Sequence, residues 1–447
     1  MIASMSKVRR TGLYWILLSS GISIVWGFFI AQTAGGMADF QAVYYGARCL
    51  VEHRDPYQEA EFLRVYQEAG RGFPADLKDS NLLRRAIPIC INLPTTLVLT
   101  APFAILAWGP AHLLWLTLQA CCIIIAAFLV WDIAENQAPR VSLFLICIVL
   151  ANCEVLLSSG NLAGIAVSFC VAAVWCFFKE RFVPAGIFCL AVSLVTKPQD
   201  AGLVWLFFLI GGTSYRKRAL QTLVVALLLS LPAVFWVSHE APHWMQELHG
   251  NLLSTSAHGD IRDPGPTASS IHELEIVIDL QSVVSVFRDD PRIYNPASYF
   301  VCGALLLVWA IRTLRSRSSQ VRNWLALAAI APLTMLVNYH RPYDAKLLLL
   351  TIPACAMLWA EGGLIAWTSL AINTAGILLT GDIPLAVLLI LTDHLQLSTA
   401  GAFGKILTIV LLRPATLILL ATSVFYLCVF VRRTSATPEL AKPSVEA

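Results

Sequence analysis

The chain reads as an all-α polytopic membrane protein, and three features of its sequence predict this. Hydrophobic residues make up 57% of the 447 positions and charged ones only 13%, where soluble domains carry roughly 25% charge. The mean hydropathy is +0.71. The charges also cluster, which leaves uncharged stretches of the roughly 20 residues that a bilayer core of about 30 Å demands of a helix.

Taken in order, the apolar stretches are 12–32, 91–108, 111–131, 141–158, 162–178, 183–210, 218–238, 297–311, 322–339, 345–360, 363–380 and 403–431. They predict about 11–13 spans in a single transmembrane domain over 1–433. Lys7, Arg9 and Arg10 precede a first run longer than a signal-peptide core. That run therefore reads as an uncleaved start anchor with a cytoplasmic amino terminus. Two long polar interruptions, about 33–90 and 239–296, fall on the same outer side if the spans alternate. The clusters Arg216 to Arg218, Arg312 to Arg322 and Arg432 to Arg433 then fall inside, as the positive-inside rule asks. Lys179, Glu180 and Arg181 fall on the wrong side, which a broken or re-entrant helix between 141 and 212 would repair. Segment 384–397 reads as a short interfacial helix, and the Pro/Ser/Ala-rich 434–447 as a disordered cytoplasmic tail.

Several function classes drop out early. A net charge of +3, small and scattered, does not suit nucleic acid. Nine of the twelve cysteines sit inside apolar runs, and no CxxC or Cys/His spacing points to a metal or other cofactor. Five histidines punctuate the second loop, at 239, 243, 249, 258 and 272. Only His239 and His243 share the i, i+4 spacing, which an interfacial turn also explains.

Chemistry is therefore sought in three polar groups. Asp39 follows the first span closely, with Tyr44 and Tyr45 about one and a half helical turns further on. A carboxylate at the membrane surface is partly desolvated, which suits a general base, whereas the bland reading is a helix N-cap. Between two apolar spans lie His340, Arg341, Tyr343, Asp344 and Lys346. They are either a seat for a phosphate or a set of interfacial anchors. Lys197 stands in an apolar stretch beside Pro198 and Asp200. An intramembrane lysine costs roughly 2.5–3.5 kcal/mol and so faces a cavity or a partner. Here the alternatives are a functional cation and a structural pair with Glu or Asp.

The order of these groups resembles glycosyltransferase family 87, polyprenyl-phosphate-mannose-dependent α-mannosyltransferases of the GT-C superfamily. The resemblance is carried by Asp39-Phe40 with Tyr44-Tyr45, by Asp55-Pro56-Tyr57, by Asn92-Leu93-Pro94, by Ser159-Gly160-Asn161, by Thr196-Lys197-Pro198 and by His340-Arg341 with Tyr343-Asp344. Asn161 stands where the family shows Gln. The resemblance implies a GT-C-type helix bundle in the inner (plasma) membrane that takes a polyprenyl-phosphate sugar donor and a lipid or glycan acceptor. It implies Asp39 as catalytic base, and Lys197, His340 and Arg341 as the donor-phosphate seat. Tyr44, Tyr45, Asn161, Tyr343 and Asp344 would line the substrate, with no metal and inversion at the anomeric carbon. The rival class is a secondary transporter or flippase of lipid-linked intermediates. It would also carry broken helices and a buried lysine, but such folds often show a repeat between halves that is not evident here.

Overall fold

The computed structural model of the chain describes residues 7–32, 36–69, 89–266, 277–316, 319–381, 387 and 401–435. The expectations for His272, for 384–397 apart from residue 387 and for all but the start of the tail lie outside them. Every regular element among the described residues is helical. The first half comprises α1 (Lys7–Ala31), α2 (Ala38–Val51), α3 (Glu59–Glu68), α4 (Pro94–Ala104), α5 (Trp108–Ala134), α6 (Pro139–Ala151), α7 (Glu154–Ser159), α8 (Ala163–Lys179), α9 (Val183–Thr196) and α10 (Pro198–Ile210). The second half comprises α11 (Thr213–Glu240), α12 (Trp244–Thr255), α13 (Leu280–Phe287), α14 (Pro291–Arg315) and α15 (Gln320–Val337), then a 3-10 helix (Pro342–Thr351), α16 (Ile352–Glu361), α17 (Gly363–Leu379), α18 (Gly401–Leu412) and α19 (Pro414–Ser435). The last helix thus runs on to Ser435, slightly past the expected start of the tail at 434.

Eight stretches are long and apolar enough to cross a membrane, and five shorter apolar helices lie among them. The protein is a polytopic membrane protein. Its core forms where the long helices face one another. Trp309, Trp324 and Phe207 are fully buried in this core, while Phe235, Phe300 and Leu364 point outward. Outward apolar side chains are what a lipid-facing surface needs.

Paired charges mark one end of the bundle. Arg9 reaches Asp132 and Glu135 at 2.7 and 2.6 Å, and Lys179 reaches Asp132 at 3.1 Å. Arg218 meets Glu180 at 3.1 Å, and Arg433 pairs with Glu361. Lys179, Glu180 and Arg181 therefore share an end with Arg9, which corrects simple alternation.

Two features account for this. Segment 91–108 holds only the 11-residue α4, and both its flanks meet the same partner segment. The Tyr57 hydroxyl donates to the Asn92 carbonyl at 2.8 Å, and Tyr44 donates to that of Leu106 at 2.7 Å. So α4 does not cross. The expected span 183–210 is instead a hairpin, α9 and α10, broken at Lys197, where Pro198 cannot continue the hydrogen-bond ladder. The hairpin leaves and returns to the basic end, where Trp205 donates to the Ala219 carbonyl at 2.9 Å. The two departures from alternation cancel, which is why Arg216 still falls where expected.

The opposite end carries the loops. His53 meets Glu240 at 2.9 Å, joining the first loop to the top of α11. Asn251 on α12 donates to the carbonyls of Tyr57 and Cys90, each at 3.0 Å. The two loops are thereby fastened to each other.

Candidate active site

Asp39 lies in the first turn of α2, half-buried, just beyond the end of α1. Met37 turns the chain through a left-handed conformation at φ 60, and its N–H donates to the Ser158 carbonyl at 2.6 Å. This bond ties the start of α2 to the end of α7. Gly160 follows with φ 67, so that Asn161 points at Asp39. The Asn161 Nδ2 donates to Asp39 Oδ2 at 2.9 Å. Its Oδ1 accepts both the Ala163 N–H at 2.8 Å, which opens α8, and the Lys197 ammonium at 3.2 Å. The loop itself is fixed from α5. Trp115 Nε1 donates to the Gly160 carbonyl at 2.9 Å, and Gln119 donates to that of Asn161.

Lys197 is buried at the hairpin break. Its ammonium pairs with Asp344 and lies 3.4 Å from Asp200, with the Tyr343 ring centroid at 5.0 Å. Asp344 is fully engaged, because its Oδ2 accepts the Arg341 N–H at 3.0 Å and starts the 3-10 helix. His340 is completely buried, with Nε2 3.1 Å from Asp200 Oδ1 and Nδ1 2.9 Å from the Asn338 carbonyl. Both neighbours are acceptors, which suits a doubly protonated, cationic ring. Arg341 is buried, with its guanidinium carbon 5.7 Å from the Tyr339 ring.

The ligand atoms of Asp200, His340 and Asp344 lie within 4.8 Å of one another, a spacing that could hold a metal ion. The Lys197 ammonium pairs with both of those carboxylates and so supplies the positive charge there. A second trio, His258, Asp263 and Asp289, has the same closeness, but Asp263 is already employed by its own turn. It accepts the N–H groups of Gly259 at 2.7 Å and Gly265 at 3.0 Å.

The structure thus brings together Asp39, Asn161, Lys197, His340, Tyr343 and Asp344, with Arg341 beside them. It adds Asp200, whose place three residues after Lys197 on a helix start is a signal for a paired carboxylate. Tyr44 and Tyr45 go elsewhere. Both are buried in an aromatic cluster with Trp108, at ring distances of 5.2 and 5.8 Å.

A family model for glycosyltransferase family 87 matches residues 91–338, more than half of the chain. The chain belongs to glycosyltransferase family 87. No curated protein and no solved structure matches it. As a family 87 member it is a membrane glycosyltransferase, which uses a sugar donor and an acceptor. The matched stretch contains Asn161, Lys197 and Asp200; Asp39 and the 340–344 segment lie outside it. Their membership in the site rests on the contacts described above.

Gly160 offers a direct check on this arrangement. A Cβ there would stand 2.7 Å from the Phe40 Cβ, on a backbone conformation that L-residues rarely adopt. Gly160→Ala should cost about 1–3 kcal/mol of stability. It should also lower turnover, because Phe40 adjoins Asp39. A melting temperature and a rate both equal to wild type would show that this loop does not hold the carboxylate.

Proposed function

We propose that this glycosyltransferase moves mannose from a polyprenyl-phosphate donor to a lipid or glycan acceptor, with inversion and without a metal. The observation that carries the reading is Asp39 held by Asn161 through one oxygen, next to a group of buried cations. Among the described residues no hydrogen bond engages Asp39 Oδ1, which leaves it for the acceptor hydroxyl. That hydroxyl loses its proton to Asp39 while its oxygen attacks the anomeric carbon from the face opposite the phosphate. The carbon–oxygen bond to the phosphate breaks, and polyprenyl phosphate leaves with the electron pair. Cations near the developing charge favour that step, with Arg341 contacting the phosphate and Lys197 and His340 acting from behind it. The metal-free reading is supported by Lys197, a tethered cation among the groups that could otherwise bind an ion. By the positive-inside rule the basic end faces the cytoplasm and the site faces the outer side of the inner membrane.

The test is transfer itself. Purified protein given radiolabelled polyprenyl-phosphate mannose and a membrane-lipid extract should move label into an α-linked glycolipid or glycan. Transfer from a nucleotide sugar under conditions where the lipid-linked donor is inert would overturn the donor assignment.

A further inference from the structure

We propose that Arg262, on the second long loop, contacts the leaving phosphate together with Arg341, so that the loop supplies a catalytic residue as well as a cover. This rests on the lipid-phosphate donor proposed above, and it concerns a residue for which sequence reasoning found no role. The loop sits directly on the site segment. The Ile278 N–H donates to the His340 carbonyl at 2.9 Å, and Gln281 donates to the Val337 carbonyl at 2.9 Å. On the other limb of the loop, the Arg262 N–H donates to the Thr255 carbonyl at 3.0 Å, just before the Asp263 turn. These bonds deliver the Arg262 guanidinium to 4.3 Å from the Tyr339 ring centroid, the ring that Arg341 also approaches.

The Arg262 guanidinium thus lies close to a second positive charge, that of Arg341. Among the described residues Arg262 forms no ion pair, and its Nε is buried without a hydrogen-bond partner. Burial holds its pKa below the ordinary arginine value, and the nearby Arg341 adds to that. A phosphate between the arginines would relieve both effects, since a guanidinium fork matches phosphate oxygens.

The charge of the reactants says when the second arginine matters. A lipid-phosphate sugar is a phosphodiester with one negative charge. As the glycosidic bond breaks, its phosphate becomes a monoester and gains a second. A cation that meets only the added charge binds the transition state better than the donor, which is what raises turnover. The bland role for Arg262 is stacking that merely holds the loop down.

Binding of three short lipids to purified protein separates these roles: farnesyl phosphate, its methyl diester and farnesol. The wild type should favour the monoester. Arg262→Ala should lose about tenfold or more of monoester affinity, with a smaller loss for the diester and none for farnesol. Arg262→Lys, which keeps the charge but not the fork, should fall between. Equal losses on all three lipids, or no loss on any, would return Arg262 to loop packing. A wild type that binds farnesol as well as farnesyl phosphate would remove the donor reading, and this inference with it.

Discussion

Asp39→Asn is expected to insert and fold normally yet transfer sugar roughly 10²–10⁴-fold more slowly. The amide keeps the size of the carboxylate, and its oxygen can still accept from Asn161. What it cannot do is take a proton from the acceptor. Donor affinity should change little, because a neutral amide brings no repulsion against a phosphate. Asp55→Asn is the matched control. Asp55 Oδ1 accepts the Tyr57 N–H at 2.8 Å in a local turn, a bond that an asparagine can also make. A near-wild-type rate for Asp39→Asn, with protein levels equal, would reduce Asp39 to a hydrogen-bond partner that positions Asn161. Asp344 would be a poor replacement, since both its oxygens are committed to Lys197 and to the Arg341 N–H.

Lys197→Met should be damaging in two separable ways. Removing one partner of a buried ion pair leaves an uncompensated charge, at a cost of about 3–5 kcal/mol. Here two carboxylates, Asp200 and Asp344, would lose their shared cation. Turnover should fall about a hundredfold as well, through the lost positive charge and the loosened Asn161 contact. Adding Asp344→Asn to Lys197→Met should recover part of the stability, because the amide oxygen can still accept the Arg341 N–H. It should not recover the rate. Melting temperatures and transfer rates on the single and double variants complete the cycle. If Lys197→Met alone kept full turnover, the lysine would be only a structural pair.

Much of this architecture was legible in the sequence, and the exceptions have physical causes. Span positions follow from hydropathy, but hydropathy does not say whether a chain goes through or turns back. Segments 91–108 and 183–210 are apolar enough to be read as spans, and neither crosses. A lysine next to a proline announced the break at 197, but its partner at 344 was invisible, since composition carries no information about distant contacts. Tyr44 and Tyr45 were grouped with Asp39 by closeness in sequence. On a helix, however, they lie about 140° and 240° around from it, so they pack against Trp108 instead. Arg262 gave a weaker signal still. An arginine in a polar loop looks solvated until that loop is seen to lie over Tyr339.

The hairpin broken at Lys197 also bears on the order in which this protein is assembled. Lys197 and Asp344 are 147 residues apart, so the ammonium enters the membrane region long before its carboxylate has been synthesised. Until then Asp200 is its near counter-charge, and a lone lysine is poorly tolerated by lipid. The segment 183–210 is thus expected to stay near water, or near the insertion machinery, while α11 through α15 are laid down. Chains halted before residue 344 should show this hairpin open to aqueous labelling, and chains extended past it should not. The residue that organises the finished site is, on this account, among the last to settle.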